Sequence, residues 1–174
     1  MAEGARMTRL VDRLLTLAQA DSGLQLRLVA VDLKALVDEV CGQAAASHSE
    51  KKLVVNTDAA QVAGDEDALR QLLWILLDNA FRYARSSVEL RLNVESGWAR
   101  LTVADDGPGI PAELHDRIFE RFYRVDSARS GTHAGLGLSI AKWIVVQHSG
   151  RILAGHAVLG GAAFMVDVPL LSGS

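Results

Sequence analysis

Apolar residues return along this chain with two different periods, and the periods mark out its elements. Met7, Leu10, Val11, Leu14, Leu17 and Ala18 recur every three or four residues, with Arg6, Arg9, Asp12 and Arg13 between them. That spacing predicts an amphipathic helix over residues 5–20 whose apolar seam needs a partner, either the rest of the chain or another copy. Asp21, Ser22 and Gly23 then read as a stop, so residues 1–23 form an appendage and linker and residues 24–174 the main domain. Within the main domain residues 24–31 read as extended. Asp32 is placed to cap a helix with Leu33, Leu36, Val37, Val40, Cys41 and Ala44 on one face, and Cys41 therefore reads as core packing. Leu53–Asn56 and Gln61–Ala63 are short strand candidates. Asp65 begins a second helix that runs to about Ala84, with Glu66 and Asp67 in its first turn, where the helix dipole favours acids.

The period then changes from helical to alternating. Val88, Leu90, Leu92 and Val94 point one way and Glu89, Arg91 and Asn93 the other, the signature of a half-buried strand. Ser96 and Gly97 turn the chain, and Trp98–Asp105 pairs back as a hairpin. Residues 106–134 hold no long periodic element, and a loop of that length inside a compact domain is usually functional, often a lid. Gly135–His148 reads as a helix closed by Gly150, and Arg151–Ala157 with Ala162–Pro169 as a last hairpin across Gly160 and Gly161. Helices with mostly antiparallel strands predict an α+β two-layer sandwich.

Composition narrows the function. With 174 residues, 49% hydrophobic and 22% charged, the chain can bury an ordinary core. One cysteine excludes an internal disulfide and a cysteine-based zinc cluster. A net charge of -3 speaks against a nucleic-acid partner. No apolar run approaches the roughly 20 residues of a membrane span, and no signal-peptide pattern opens the chain, so a cytoplasmic setting is expected.

Three groups of residues could carry chemistry. Asn79 lies on the same helix row as Leu72, Ile75 and Leu76, and Arg82 and Tyr83 follow at i+3 and i+4. A short amide on an apolar face either bonds to backbone in the core or ligates a hard cation such as Mg2+; an arginine beside it can meet phosphate and a tyrosine can lie against a base. Asp105 closes a strand on the face of Leu101 and Val103, followed by Asp106-Gly107-Pro108-Gly109-Ile110. Such a sequence is either an ordinary turn or a carboxylate that accepts from an exocyclic amine, with glycines admitting a flat ligand. Gly135-Leu136-Gly137-Leu138 opens a helix, where free N–H groups favour phosphate. A dinucleotide fingerprint would require a preceding strand, and a long loop precedes this segment instead.

Taken in order, these segments resemble the ATP-binding domain of sensor histidine kinases, within a superfamily that includes gyrase and heat-shock chaperone ATPases. "LLDNAFRYA" is similar to the N box, "DDGPGI" to the first glycine box, "RIFERFYR" to the F box, "GLGLSIAKWIVVQHSG" to the second glycine box and "GGAAFMVDVPL" to the last, over about residues 31–170. The resemblance implies a mixed, mostly antiparallel sheet covered by helices. It implies that Asn79 coordinates Mg2+, that Arg82 stands near phosphate where the family usually has lysine, and that Tyr83 contacts adenine. Asp105 would read the adenine amine in a pocket shaped by Gly107, Gly109 and Ile110. Phe119, Phe122, Tyr123 and Arg124 would belong to the F box and lid, and Gly135, Leu136, Gly137 and Leu138 would wrap the triphosphate. Residues 5–23 resemble the second helix and exit of the dimerisation and phosphoacceptor bundle.

The implied activity is transfer of the γ-phosphoryl of Mg-ATP to a histidine on a bundle domain, then to an aspartate on the receiver domain of a response regulator, in a full-length homodimer. Two departures stand out. Ile75 occupies the place where the family commonly has asparagine and its hydrolysing relatives a glutamate base, and Ala162 and Ala163 stand where threonine is frequent. The acceptor helix is not found: His115-Asp116 precedes the F box, and His48, His133, His148 and His156 lack the acceptor context, so all five histidines read as structural or solvent-exposed. A fragment of a longer kinase is the expectation. A weakened ATP-responsive interaction module and an anti-sigma-type serine kinase are the alternatives.

Overall fold

The computed structural model describes residues 2–125 and 135–172. The expected lid falls partly, and His133 wholly, outside them. Four helices, α1 (Ala2–Asp21), α2 (Leu33–Ser47), α3 (Glu66–Tyr83) and α4 (Gly137–Gln147), alternate with seven strands: β1 (Val29–Asp32), β2 (Lys52–Thr57), β3 (Gln61–Gly64), β4 (Ser87–Glu95), β5 (Trp98–Asp105), β6 (Arg151–His156) and β7 (Ala162–Pro169). Two short 3-10 turns, Ala112–Leu114 and Arg117–Phe119, lie in the long loop.

The main sheet has the order β2-β4-β5-β7-β6, with β2 parallel to β4 and every other pair antiparallel. Its registers put Leu90 opposite Val103 and Val103 opposite Phe164, all buried, so the alternation read from β4 continues across the sheet. That inner face meets the buried faces of α2, α3 and α4: Val37, Val40, Leu72, Leu76, Ile140 and Ile144 belong to the same core. The other sheet face carries Arg91, Arg100 and Thr102 outward, the arrangement of a two-layer sandwich. Two pairings were invisible to periodicity. β1 and β3 form a separate antiparallel pair, Val31 opposite Val62, and β2 joins the edge of the main sheet in parallel. Both join segments on either side of a helix, and the pattern within a strand does not encode its neighbour.

Local chemistry fixes the helix ends. Asp32 accepts from Ala35 N–H at 3.0 Å and Asp65 from Ala68 N–H at 2.9 Å, the two caps expected from sequence. The carbonyls at the end of α3 are met by Lys51, whose ammonium donates to Phe81 and Ala84 oxygens, a cation at the negative end of the dipole. His148 ties α4 to the start of α3. Its Nε2 accepts from Asp65 N–H at 3.0 Å, so Nδ1 carries the proton and donates to Ile144 O at 2.7 Å. Cys41 is buried in α2, and desolvation pushes its thiol up to about 12, as a packing residue requires.

Helix α1 docks through polar groups. Thr16 lies 2.8 Å from Gln71 Oε1, Arg13 donates to Asp78 at 3.3 Å, and Asp21 pairs with Arg121 at 2.7 Å. Of the expected seam, Leu17 packs against the core while Met7, Val11 and Leu14 remain exposed, as does neighbouring Leu15, so an apolar strip of the helix faces away from the domain.

Among the described residues Asp167 on β7 is the one carboxylate buried in the outer face. Its carboxylate receives two bonds from Arg100, at 2.7 and 2.9 Å, and one from Arg151 at 2.8 Å, and the sheet register sets all three side by side. Those bonds, from Arg100 first, hold its pKa below the usual carboxylate range despite burial. A carboxylate depressed in the folded state contributes stability above its unfolded value, about 3.9, and loses it as pH falls through the folded value. We expect Asp167→Asn to lower unfolding stability by about 2 kcal/mol at pH 7. The gap between variant and parent should close as urea unfolding is repeated from pH 5 down to pH 3; a gap independent of pH would refute the ion-pair account.

Candidate functional site

The site is built where β5, the end of α3 and the β6–β7 hairpin converge. Asp105 ends β5 pointing into the core face and is only 1% exposed. Its Oδ1 accepts from Gly107 N–H at 2.8 Å and Ala162 N–H at 3.3 Å, while its backbone oxygen accepts from Gly161 N–H at 3.1 Å. Among the described residues nothing donates to Oδ2. Burial raises the pKa of Asp105 above the ordinary carboxylate value, opposed by the two backbone donors. The carboxylate therefore offers one committed and one free oxygen.

Two glycines make this approach possible. A Cβ on Gly107 would stand 2.3 Å from Tyr83 O, and one on Gly161 would stand 2.3 Å from both the backbone oxygen and Oδ1 of Asp105. Gly109 turns through φ 76° and faces the Gly161 backbone, with Ile110 partly buried beside it. Asp106 fastens the other wall. It accepts from Arg85 N–H at 2.8 Å, Ser86 N–H at 3.0 Å and Ser86 Oγ at 2.7 Å, and these bonds hold its carboxyl well below the usual range. The chain leaving α3 is thereby tied to the loop leaving β5.

Asn79 sits on the last turns of α3, partly buried, and its side chain makes no hydrogen bond with any described residue. The core asparagine bonded to backbone is thus not what the structure contains. One turn earlier Ile75 is buried, and its Cγ2 lies 3.4 Å from where a Gly137 Cβ would be, so α3 passes directly beside the start of α4. Among the described residues no side chain caps that start, and the N–H groups of a first helical turn favour anions. Leu136 is buried and Leu138 partly so; their side chains pack and only their backbone can face a ligand. Gly135, at φ 67°, accepts from Phe122 N–H at 3.0 Å, and a Cβ there would meet Phe122 and Tyr123 backbone at 2.9 Å.

The remaining expected residues divide. Tyr83 and Arg82 are exposed at the end of α3, Tyr83 lending its carbonyl to the Gly107 contact. Phe119 turns inward, edge-on to Phe164 at 6.3 Å, and Tyr123 packs on the core under the Arg117 guanidinium. Phe122 is 68% exposed at φ 62°, and Arg124 is exposed. Phe119 and Tyr123 are therefore supports of the loop, whereas Phe122 projects from it. Asp106, Gly161 and Ala162 were missed as site residues. The second aspartate of the Asp105-Asp106 pair was a readable signal, since an aspartate ahead of glycine and proline holds turns; the approach of Gly161 to Asp105 spans the whole domain and leaves no local trace.

Comparison with known proteins shows what this assembly belongs to. Residues 64–172, more than half the chain and including every candidate residue, match the family described as histidine kinase-, DNA gyrase B-, and HSP90-like ATPase. The chain is a member of that ATPase family. It is 39% identical over 178 residues to the signal transduction histidine-protein kinase BaeS of Escherichia coli K12, covering 97% of this chain and 38% of BaeS. It is 40% identical over 153 residues to the sensor histidine kinase YkoH of Bacillus subtilis, covering 84% of this chain and 33% of YkoH. The chain thus spans a third to two-fifths of the length of these relatives. Among solved structures it resembles the mycobacterial sensor histidine kinase MprB, with TM-score 0.76, 32% identity, and coverage of 83% of this chain and 100% of that one. It also resembles full-length ShkA in complex with AMPPNP, with TM-score 0.80 and 27% identity over 99% of this chain and 38% of that one. The α+β architecture of this ATPase family member accords with those neighbours. Among the described residues no helix is long and apolar enough to cross a membrane.

The contact geometry makes two stability predictions. Gly161→Ala should destabilise by about 1–3 kcal/mol through overpacking against Asp105, whereas Gly42→Ala, in α2 with nothing within 4 Å of the added carbon, should stabilise by about 0.5–1 kcal/mol; equal effects in chemical denaturation would contradict the cradle. Asp105→Asn should melt at or above the parent temperature at pH 7, because a raised folded-state pKa means the ionised carboxylate opposes folding at that pH, and asparagine keeps an acceptor for Gly107 N–H.

Proposed function

We propose that this chain binds Mg-ATP and presents its γ-phosphoryl to a histidine on a dimerisation and phosphoacceptor bundle of a two-component sensor kinase, from which a response-regulator receiver aspartate takes it. The observation that carries the reading is Asp105: a carboxylate buried in a glycine-walled pocket, one oxygen held by backbone and the other free to accept from an exocyclic amine. Adenine offers such an amine, and Gly107, Gly109 and Ile110 border the space a flat ring would use. Guanine carries a carbonyl in the equivalent position, which would face a carboxylate oxygen.

The residues present fit a magnesium nucleotide. Asn79 offers a hard amide oxygen with no competing partner, and Mg2+ accepts one or two protein ligands alongside phosphate oxygens. When bound, Mg2+ neutralises phosphate charge and orients the transferring group. The uncapped start of α4 supplies N–H groups for phosphate, and Arg82 adds positive charge nearby. The lid residues Phe122 and Arg124 and the glycine run Gly135–Leu138 are assigned to closing over the triphosphate. In the transfer the bond from the γ-phosphorus to its bridging oxygen breaks, ADP leaves with that electron pair, and the imidazole nitrogen forms the new bond. The protein's part is positioning and charge stabilisation. Ile75 offers no proton acceptor one turn before Asn79, which fits transfer to a supplied histidine better than transfer to water.

The outward seam of Met7, Val11, Leu14 and Leu15 supports reading residues 1–23 as part of the bundle, with residues 24–174 as the catalytic domain and a homodimer as the full-length state. Such a domain works on the cytoplasmic side.

Calorimetric titration tests the site. Asp105→Asn should weaken ATP binding at least tenfold while sparing a nucleotide without the adenine amine, and equal losses for both would refute the adenine role. Asn79→Ala should remove the Mg2+ dependence of binding; an unchanged dependence would remove Asn79 from the metal. Phosphoryl transfer from ATP to an added histidine bundle tests the activity itself.

A further inference from the structure

Outside the nucleotide site, two imidazoles meet across the loop and the last hairpin. His115, between the two 3-10 turns, and His156, ending β6, lie with ring centres 5.3 Å apart and planes inclined at 64°. His115 Nε2 lies 2.9 Å from Ile110 O. A carbonyl only accepts, so Nε2 carries the proton and the neutral ring keeps its lone pair on Nδ1. This is the arrangement that holds a metal-binding imidazole in one tautomer, with the outer nitrogen bonded to a backbone carbonyl and the inner one free. His156 is exposed and makes no hydrogen bond with any described residue.

We propose that His115 and His156 form a two-imidazole site for a divalent transition ion of the zinc, copper and nickel class, separate from the magnesium nucleotide. A metal–nitrogen bond of about 2.0–2.1 Å would place each ring centre roughly 3.2 Å from the ion, and the separation of these two ring centres lies within the reach of one shared ion. Imidazole selects this class over Mg2+, which prefers oxygen. Two imidazoles supply two of the four positions of a tetrahedral ion and leave the others to water, which makes the ion exchangeable. The site has a structural reach beyond its two ligands. His115 is bonded to Ile110 at the mouth of the adenine pocket, and His156 pairs in register with Ala162, the donor to Asp105. A bound ion cross-links the two segments that border the pocket.

Titration of zinc chloride into the chain, without nucleotide, tests this. One ion per chain should bind saturably in excess Mg2+, and His115→Gln and His156→Gln should each weaken binding at least tenfold while leaving the metal-free melting temperature within a few degrees. Copper added in place of zinc should show two nitrogen donors by electron paramagnetic resonance, reduced to one in either variant. Non-saturable binding, competition by Mg2+, or affinity within twofold of the parent in both variants would overturn the site.

Discussion

Asp105 is where three stretches of chain become one site. Its backbone oxygen takes the Gly161 N–H, its side chain takes those of Gly107 and Ala162, and Gly107 in turn lies against the last carbonyl of α3. Strand β5, the hairpin and the helix are each stabilised by ordinary core packing, yet their relative placement at this corner depends on backbone donors reaching one buried carboxylate. Burying a charge this way is unfavourable unless it is hydrogen-bonded, and here only half of its capacity is met from within the protein. The domain retains an unmet acceptor where its ligand is expected, a local frustration of the kind found at functional sites.

Three aspartates illustrate how environment decides a role. Asp106, one residue on, is fully committed to the turn after α3, and its proton affinity falls. Asp167 is as deeply buried as Asp105 but receives two guanidinium groups, so its affinity also falls. Asp105 has neither a cation nor a full set of donors, and its affinity rises. Burial without a cation or a full set of donors separates the one carboxylate available for recognition from the two structural ones, whose hydrogen bonds outweigh their desolvation.

Much of this was readable before any coordinates. Helices α2 and α3, their aspartate caps, the β4–β5 hairpin and the buried row through Leu90 follow from periodicity and capping, because each depends on residues close in sequence. The parallel seat of β2 and the separate β1–β3 pair did not follow, since both depend on which surfaces remain after the helices pack. In the site, Asp105 and Asn79 were identifiable from residue type and face. The cradle role of Gly161 required knowing that a hairpin more than fifty residues downstream arrives at Asp105. For helix α1 periodicity left the partner of its apolar seam open between the rest of the chain and another copy; the helix docks through Arg13, Thr16 and Leu17 and turns Met7 and Leu14 outward.

The walls around Asp105 are largely main chain: the amides of Gly107 and Ala162, the carbonyl of Tyr83 and the bare α-carbon of Gly161. Amides and carbonyls persist whatever the codon, and glycines that exclude a Cβ at 2.3 Å have almost no substitutes. A small molecule that reads this corner through the main chain and the carboxylate oxygen would meet few substitutions that remove its contacts and leave the corner intact.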